Sequence, residues 1–462
     1  MRNGHGLLLA TIAISMFLDG LDGTIVNVAL PTIADSFGIG TDDTSWVATV
    51  YFLVMAGLIL VFGRLCDMGA IKKVLVTGMA VFTAGSLMCG LSGSLAVLLA
   101  FRAVQGVGAG MVAASAVMLG VKFLPKERLG LAMTLVVLGS SVGMAIGPTL
   151  GALITEYASW HWIFFINVPV GALAIAMASR SVPADGPLER GAVDLAGSAM
   201  LFAAIVTGLF AVERVPSEGL TPVNAAAAAA CAVLLAAFVL YERGRESPVV
   251  DLSIFRHRGF DAATVAYVLV NTVIMGTIYL LPFLLRQAMG MDTLGSGLVL
   301  SVQSVSMTAC CLVAGKLSGR FTNRQLAVFA CLMQALGAVM LALVTAESSL
   351  AYVVLALVVM GTVWGTGGGP MGARMVDTLP DGDRGSGSSM MSFVLYFSSA
   401  LGTALFAGLF ALGSGEGSTS ISDVPVDAFM DGFALTMAVA AALALVSAAI
   451  SWGLRSDGGE RQ

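Results

Sequence analysis

The chain has 462 residues, of which 58% are hydrophobic and only 11% charged, with a net charge of -5. A soluble globular chain typically carries about 25% charged residues, so a water-facing surface is excluded and a lipid-facing one is implied. The small net charge and the lack of a basic cluster with interleaved aromatics give no footing for nucleic-acid binding.

A membrane-crossing helix needs about 20 mostly apolar residues. Fourteen such stretches are predicted, over 7–30, 45–65, 74–92, 95–121, 130–153, 161–179, 194–213, 221–241, 260–285, 294–315, 325–346, 349–373, 386–412 and 429–453. The first contains Asp19 and Asp22 and no small-x-small cleavage site, so it reads as a retained helix rather than a signal peptide. With both termini cytoplasmic, all of the 23 Lys and Arg residues except Arg102, Arg214 and Arg286 fall in inner loops and tails. That bias is what the positive-inside rule expects, and a missed or false helix would scramble it. "GRLCDMGAIKKVLV" from Gly63 is echoed by "GKLSGRFTNRQLAV" from Gly315, each after the second helix of a six-helix half. The predicted fold is therefore an all-α polytopic membrane protein with parallel repeats about an axis along the membrane normal. Residues 1–185 form one six-helix bundle, 186–247 an inserted helix pair, and 248–462 the second six-helix bundle.

The few polar residues inside the spans carry the chemistry. Asp22 in "LDGTIVNVALP" is a carboxylate within an apolar helix, so it faces a cavity or a partner. It serves either proton exchange or a packing tie to a neighbouring helix. Asp19 lies three residues earlier on the same helical face, and two carboxylates in a low dielectric titrate as a coupled pair. Arg102 in "FRAVQGVGAG" is the one basic residue placed within a span. It either tunes a carboxylate or snorkels to the outer interface, and Gln105 shares its face. Gly139, Gly143, Gly147 and Gly151 recur every four residues, a stripe that lets helices approach closely. Pro148 beside it can kink the helix, so the stretch suits a hinge or seal as well as plain packing. Gly63, Asp67, Lys72 and Lys73, with Arg320 in the second copy, form a candidate cytoplasmic gate; the alternative is a solvated loop obeying the charge rule. No other span is expected to hold a clear acidic residue, since Asp194, Asp261 and Asp377 fall near helix ends. Asn27, Gln105, Asn271, Tyr279, Gln303 and Trp364 are the candidate cavity-lining residues. The six cysteines include no CxxC pair and the three histidines are scattered, so no metal site is expected and the thiols read as unpaired. No G-x-x-x-x-G-K-[ST] phosphate cradle and no nucleophile–His–acid set occur, so the chain reads as neither an ATP-driven pump nor an enzyme.

"LDGTIVNVALP", the loop at 63–75, "RAVQGVGAG", "GMAIGPTLGA", "WHWIFFINVPVG" and "PVVDLSIFRHRGF" together resemble the fourteen-helix drug:proton antiporter family of the major facilitator superfamily, over essentially the whole chain. The resemblance implies alternating access, export of a small lipophilic or weakly cationic compound and inward proton movement. It implies no cofactor beyond the proton gradient. Asp22 matches the family's first-helix carboxylate, Arg102 its fourth-helix arginine, Gly143, Gly147, Pro148 and Gly151 its antiporter motif, and Asp67 its loop aspartate. The loop departs from D-R-x-G-R-[KR]: Asp67 is followed by Met68, Gly69, Ala70 and Ile71. His161 replaces the usual arginine, and no acidic residue is seen in the second half's spans, which argues against polycationic substrates. The expected partners are a small lipophilic substrate, protons and membrane lipid, with the monomer as the working unit, in a cell membrane of prokaryotic inner-membrane type. A proton-coupled importer or lipid transporter on the same fold is the first alternative. A non-transporting membrane sensor or scaffold is the second.

Overall fold

The structure, a computed structural model, describes residues 2–186, 194–245, 248–317, 321–380, 384–415 and 424–453. Among these, fourteen helices are long and apolar enough to cross a membrane. In the first half they are α1 (Gly6–Phe37), α2 (Thr41–Asp67), α3 (Ile71–Gly90), α4 (Leu95–Phe123), α5 (Thr134–Tyr157) and α6 (Trp162–Ser181). Then come α7 (Leu195–Pro216) and α8 (Pro222–Glu242). The second half holds α9 (Gly259–Ala288), α10 (Thr293–Cys311), α11 (Asn323–Ala342), α12 (Leu350–Val376), α13 (Gly387–Ser414) and α14 (Val426–Gly453). Lipid offers no partner to a free N–H or C=O, so each crossing segment closes its backbone bonds internally as a helix.

Several starts are set by side chains. Ser94, Thr221 and Ser349 accept from the first-turn N–H groups of α4, α8 and α12, and Thr322 forms a reciprocal capping box with Gln325 at α11. Two helices loosen into π turns, over Leu284–Ala288 in α9 and Trp364–Gly368 in α12. Such bulges concentrate at functional sites.

Within the first half α1 lies along α5, α2 along α4, and α3 along α4 and α6. Within the second, α11 lies along α12 and α14, α9 along α13 and α14, and α10 along α12. The halves meet along two seams, α2 with α13 and α5 with α10. The helix α7 packs on α8 and also reaches both α2 and α13, so the inserted pair flanks the first seam.

Two predicted boundaries are corrected. The second span begins at Thr41, not 45, and takes Asp42 and Asp43 into its first turn, where acidic residues complement the positive end of the helix. The seventh continues past 213 to Pro216, so Glu213 is no longer its last residue, and the Glu213 side chain is fully buried. The expectation of no further acidic residue in the spans therefore fails at Glu213, and at Asp42 and Glu242, which are also buried within spans.

Candidate functional site

The polar centre of the first half is built on Asp22, which is 0% exposed, and Arg102, which is 1% exposed. Arg102 Nη1 donates to Asp22 Oδ2 at 2.7 Å and to Gln105 Oε1 at 2.7 Å, and Nε donates to the Val47 carbonyl at 2.9 Å. The other carboxylate oxygen, Oδ1, accepts from Gln105 Nε2 at 2.8 Å and from Asn167 Nδ2 at 2.9 Å. Gln105 Nε2 also reaches Ser86 Oγ at 2.8 Å. The guanidinium lies over the Tyr51 ring, 4.2 Å from its centroid, a favourable cation–π placement. Helices α1, α2, α3, α4 and α6 thus converge on one ion pair. Both carboxylate oxygens and three donor groups are matched, which a buried pair requires if its desolvation is to be repaid. The snorkelling alternative for Arg102 is ruled out by this burial. Asn167 was not singled out in the sequence; an amide inside an apolar span is the signal that marks it.

Asp19 goes elsewhere. Its Oδ2 accepts from Tyr396 Oη at 3.2 Å, across the seam on α13. A small cavity beside it is lined by Ser15, Leu18, Met79, Phe82, Ala109 and Val112. The two carboxylates share a helix but face different partners, one inside the first half and one in the second.

Between the halves lies a cavity of about 40 Å³, formed by α1, α5, α9, α10 and α12. Asn27, Gln303 and Trp364 line it, with Thr24, Ser304 and the side chains of Met144, Met275, Met307 and Met360. No charged residue is among its lining. Asn27 Nδ2 is tied to the Gly23 carbonyl, but its buried Oδ1 has no partner among the described residues. A cavity of this size holds only a few waters, so a larger guest requires the halves to part or the methionines to re-pack, which their flexible side chains permit. The other three cavity candidates are placed elsewhere. Gln105 belongs to the Asp22 network, and Asn271 bonds the Tyr267 carbonyl inside the second half at 2.8 Å. Tyr279 Oη bonds the Thr41 carbonyl at the outer end of α2. None of the three is among the residues that line the cavity.

The glycine stripe of α5 is pressed on α1. A Cβ on Gly139, Gly143 or Gly151 would come within 2.4–2.7 Å of the carbonyl oxygens of Ala13, Phe17 and Ile25, and on Gly147 within 2.1 Å of Thr24 Oγ1. Gly20, between Asp19 and Asp22, is equally tight against the Ser140 carbonyl. The opposite side of α5 meets α10: a Cβ on Gly297 would lie 2.7 Å from the Pro148 carbonyl. The stripe therefore joins the carboxylate helix to a seam.

Polar contacts between the halves gather toward the outer side. Arg286 Nη2 pairs with Asp35 at 2.7 Å and Nη1 donates to Thr32 Oγ1 at 2.6 Å. Thr149 meets Ser301 at 2.5 Å and Thr49 meets Thr403 at 2.7 Å. With the termini inside, these sites lie in the outer halves of their helices, and Asp19–Tyr396 lies near mid-depth.

On the cytoplasmic side, a Cβ added at Gly63 would meet nothing within 4 Å, and Asp67 is exposed at the end of α2, facing the charges of Arg64 and Lys122. Arg320 lies outside the described residues. The ordered contact is one the sequence did not suggest: Asp185, after α6, accepts from the backbone N–H groups of Lys72 and Lys73, both at 2.9 Å. Lys72 Nζ in turn donates to the carbonyls of Ser179 and Val182. Here a carboxylate caps the start of α3 from another helix's end. Replacing Asp185 with alanine is expected to lower stability by about 1 kcal/mol, read as a fall in the melting temperature of the detergent-solubilised protein. His161, just before α6, stacks on Trp160, and burial holds its imidazole below the usual value.

Two helical halves meeting along paired seams, with a cavity between them and a buried ion pair in one half, define a polytopic membrane transporter. The chain belongs to the Major Facilitator Superfamily, whose family model matches residues 12–403; it is a transporter-family protein and not an enzyme. Its relatives include the riboflavin transporter RibZ of Clostridioides difficile (strain 630), 30% identical over 88% of each chain. The putative multidrug resistance protein MdtD of Escherichia coli (strain K12) is 31% identical over 86% of this chain and 84% of that one. Among solved structures, a bacterial homolog of the human lysosomal transporter Spinster, inward-facing and unoccupied, aligns with a TM-score of 0.68 at 14% identity, covering 98% of this chain and 97% of that chain. The human organic anion transporter MFSD10 aligns with a TM-score of 0.65 at 15% identity, over 96% and 99% of the two chains. At these identities the structural matches speak for the fold.

Proposed function

We propose that the chain is a proton-coupled antiporter that exports small lipophilic or weakly cationic compounds across a cell membrane of prokaryotic inner-membrane type, working as a monomer by alternating access. One observation carries the reading. Asp22 and Asp19 occupy one helix, the first paired with Arg102 inside its half and the second touching Tyr396 of the other half, and the same helix lines the uncharged cavity through Thr24, Asn27 and Val28. Protonating Asp22 removes the charge that Arg102 answers. Because Gly20 locks this stretch of α1 against α5, a change there is felt at the α5–α10 seam. The outer position of the Arg286–Asp35 pair and its neighbours supports an outer side that is closed while the substrate side faces inward. The MdtD relative supports export, and the lack of charge in the cavity supports neutral or weakly charged cargo.

A second reading follows from the RibZ relative. Trp364 offers a stacking face, and Gln303 and the unpartnered Asn27 Oδ1 offer amide contacts, a set that suits a flat heterocycle with polar edges. Reconstitution separates the readings. Proteoliposomes loaded with lipophilic dyes or with riboflavin are given an imposed pH gradient, and transport is followed in both directions. Dye movement against proton flow, lost in Asp22→Asn, is the expected result. Gradient-driven transport that survives Asp22→Asn overturns the role given to Asp22, and exclusive riboflavin transport selects the second reading.

A further inference from the structure

The inserted helices carry a titratable group that the Asp22–Arg102 centre does not use. Glu213 of α7 is 0% exposed. Its Oε1 accepts from Ser45 Oγ of α2 at 2.9 Å, and its Oε2 has no partner among the described residues. On the other side, α13 seats directly against the α7 backbone: a Cβ on Gly408 would lie 2.5 Å from the Glu213 carbonyl oxygen. Glu213 is thus wedged where α7 meets one helix of each half, near the outer ends of all three.

The surrounding groups are few. From α2 come Asp42, whose buried Oδ1 also has no partner among the described residues, and Asp43. From α7 itself comes Arg214, which pairs with Asp43 at 3.0 Å and Glu218 at 2.8 Å and stands 4.0 Å from Asp42. From α9 comes Tyr279, whose hydroxyl engages the Thr41 carbonyl. The turn of α13 around Gly408 contributes no titratable side chain, and α8 contributes Cys231, which faces Gly208 lower on α7.

We propose that Glu213 is a second proton-binding site, distinct from Asp22 and Asp19, through which the inserted pair α7–α8 latches the outer side of the transporter shut. A charged carboxylate with one oxygen unmatched is costly in a fully buried site, whereas the neutral acid is tolerated there. A proton taken from the outer solution onto the carboxylate lets the α2–α7–α13 wedge close. Opening admits water, the proton leaves to the outer solution, and the charged form holds the wedge apart. The arrangement gives an exporter a reason to close its outer side after releasing cargo into an acidic exterior. The inference rests on the alternating-access reading but not on Asp22.

Hydrogen–deuterium exchange of the full chain in lipid nanodiscs tests it without a known substrate. The outer connectors, residues 36–45 and 286–295, are followed across neutral pH after correction for chemical exchange rates. Wild type is expected to lose protection there as pH rises. Glu213→Gln is expected to stay protected throughout, and Glu213→Asp to keep the response. Ser45→Ala, which removes the donor to Oε1, is expected to displace the midpoint. A Glu213→Gln variant that follows the wild-type curve overturns the proposal. If that variant does not fold, an unmoved midpoint in Ser45→Ala overturns it equally. Loss of the response in Asp22→Asn alone, with Glu213→Gln unaffected, refutes the Glu213 latch while leaving proton coupling standing. Transport without proton coupling, with the Glu213 response intact, refutes the coupling reading and not the latch.

Discussion

Arg102→Ala is expected to destabilise the protein more than replacing both members of its ion pair. Removing the guanidinium leaves the Asp22 carboxylate buried at 0% exposure with only Gln105 and Asn167 to answer it. Breaking a buried pair on one side costs about 3–5 kcal/mol, while replacing the pair with well-matched neutral groups costs far less. The double variant Asp22→Asn with Arg102→Gln keeps an amide on each helix and strands no charge. Its melting temperature in detergent should therefore lie above that of Arg102→Ala. Its gradient-driven transport should be absent, because no carboxylate remains at that position to exchange a proton. The two readouts separate structure from coupling. A double variant as unstable as the single one means that the ion pair is not the source of the cost. A double variant that still transports against a pH gradient removes Asp22 from the coupling path.

The spans were legible because lipid imposes a length and a composition on each, and because the basic residues mark one side independently. The ion pair was half legible. A carboxylate and an arginine in apolar helices must find partners, but which partners depends on how five helices converge, and nothing in local sequence places Asn167 of α6 beside Asp22 of α1. Tyr279, Asn271 and Gln105 failed as cavity residues for the same reason: polarity inside a span says that a partner exists, not whether it is a cavity or a neighbouring carbonyl. Glu213 was missed because it stands at the apparent end of an apolar run, next to Arg214, where charge usually signals solvent. Only the packing of α7 against α2 and α13 takes it out of water. Asp185 was missed because an acidic residue after a helix carries no mark of the helix start it caps, more than a hundred residues away in the chain.

The second large effect is expected on α5. At Gly143 a Cβ would lie 2.4 Å from the Phe17 carbonyl oxygen and 2.6 Å from the Leu21 nitrogen. Both are backbone atoms of a helix held by its own hydrogen bonds, so no side-chain rotation can relieve the overlap. Overpacking of this kind costs about 1–3 kcal/mol for a single methyl-sized group and more for a larger one. Gly143→Ala should therefore lower the melting temperature clearly, and Gly143→Val further. Gly63→Ala, inside α2 where nothing lies within 4 Å, should not lower it and should raise it slightly, because alanine favours a helix over glycine. Transport should fall with Gly143→Ala beyond what lost stability explains, because α5 holds α1 between Asp19 and Asp22 on one side and touches α10 across the seam on the other. Prising α5 from α1 breaks the path by which a proton on Asp22 reaches the second half through the α5–α10 seam. A Gly143→Ala protein that melts with the wild type shows that α1 can withdraw freely from α5. The close packing would then be incidental, and the path from carboxylate to seam would have to run through Tyr396 alone.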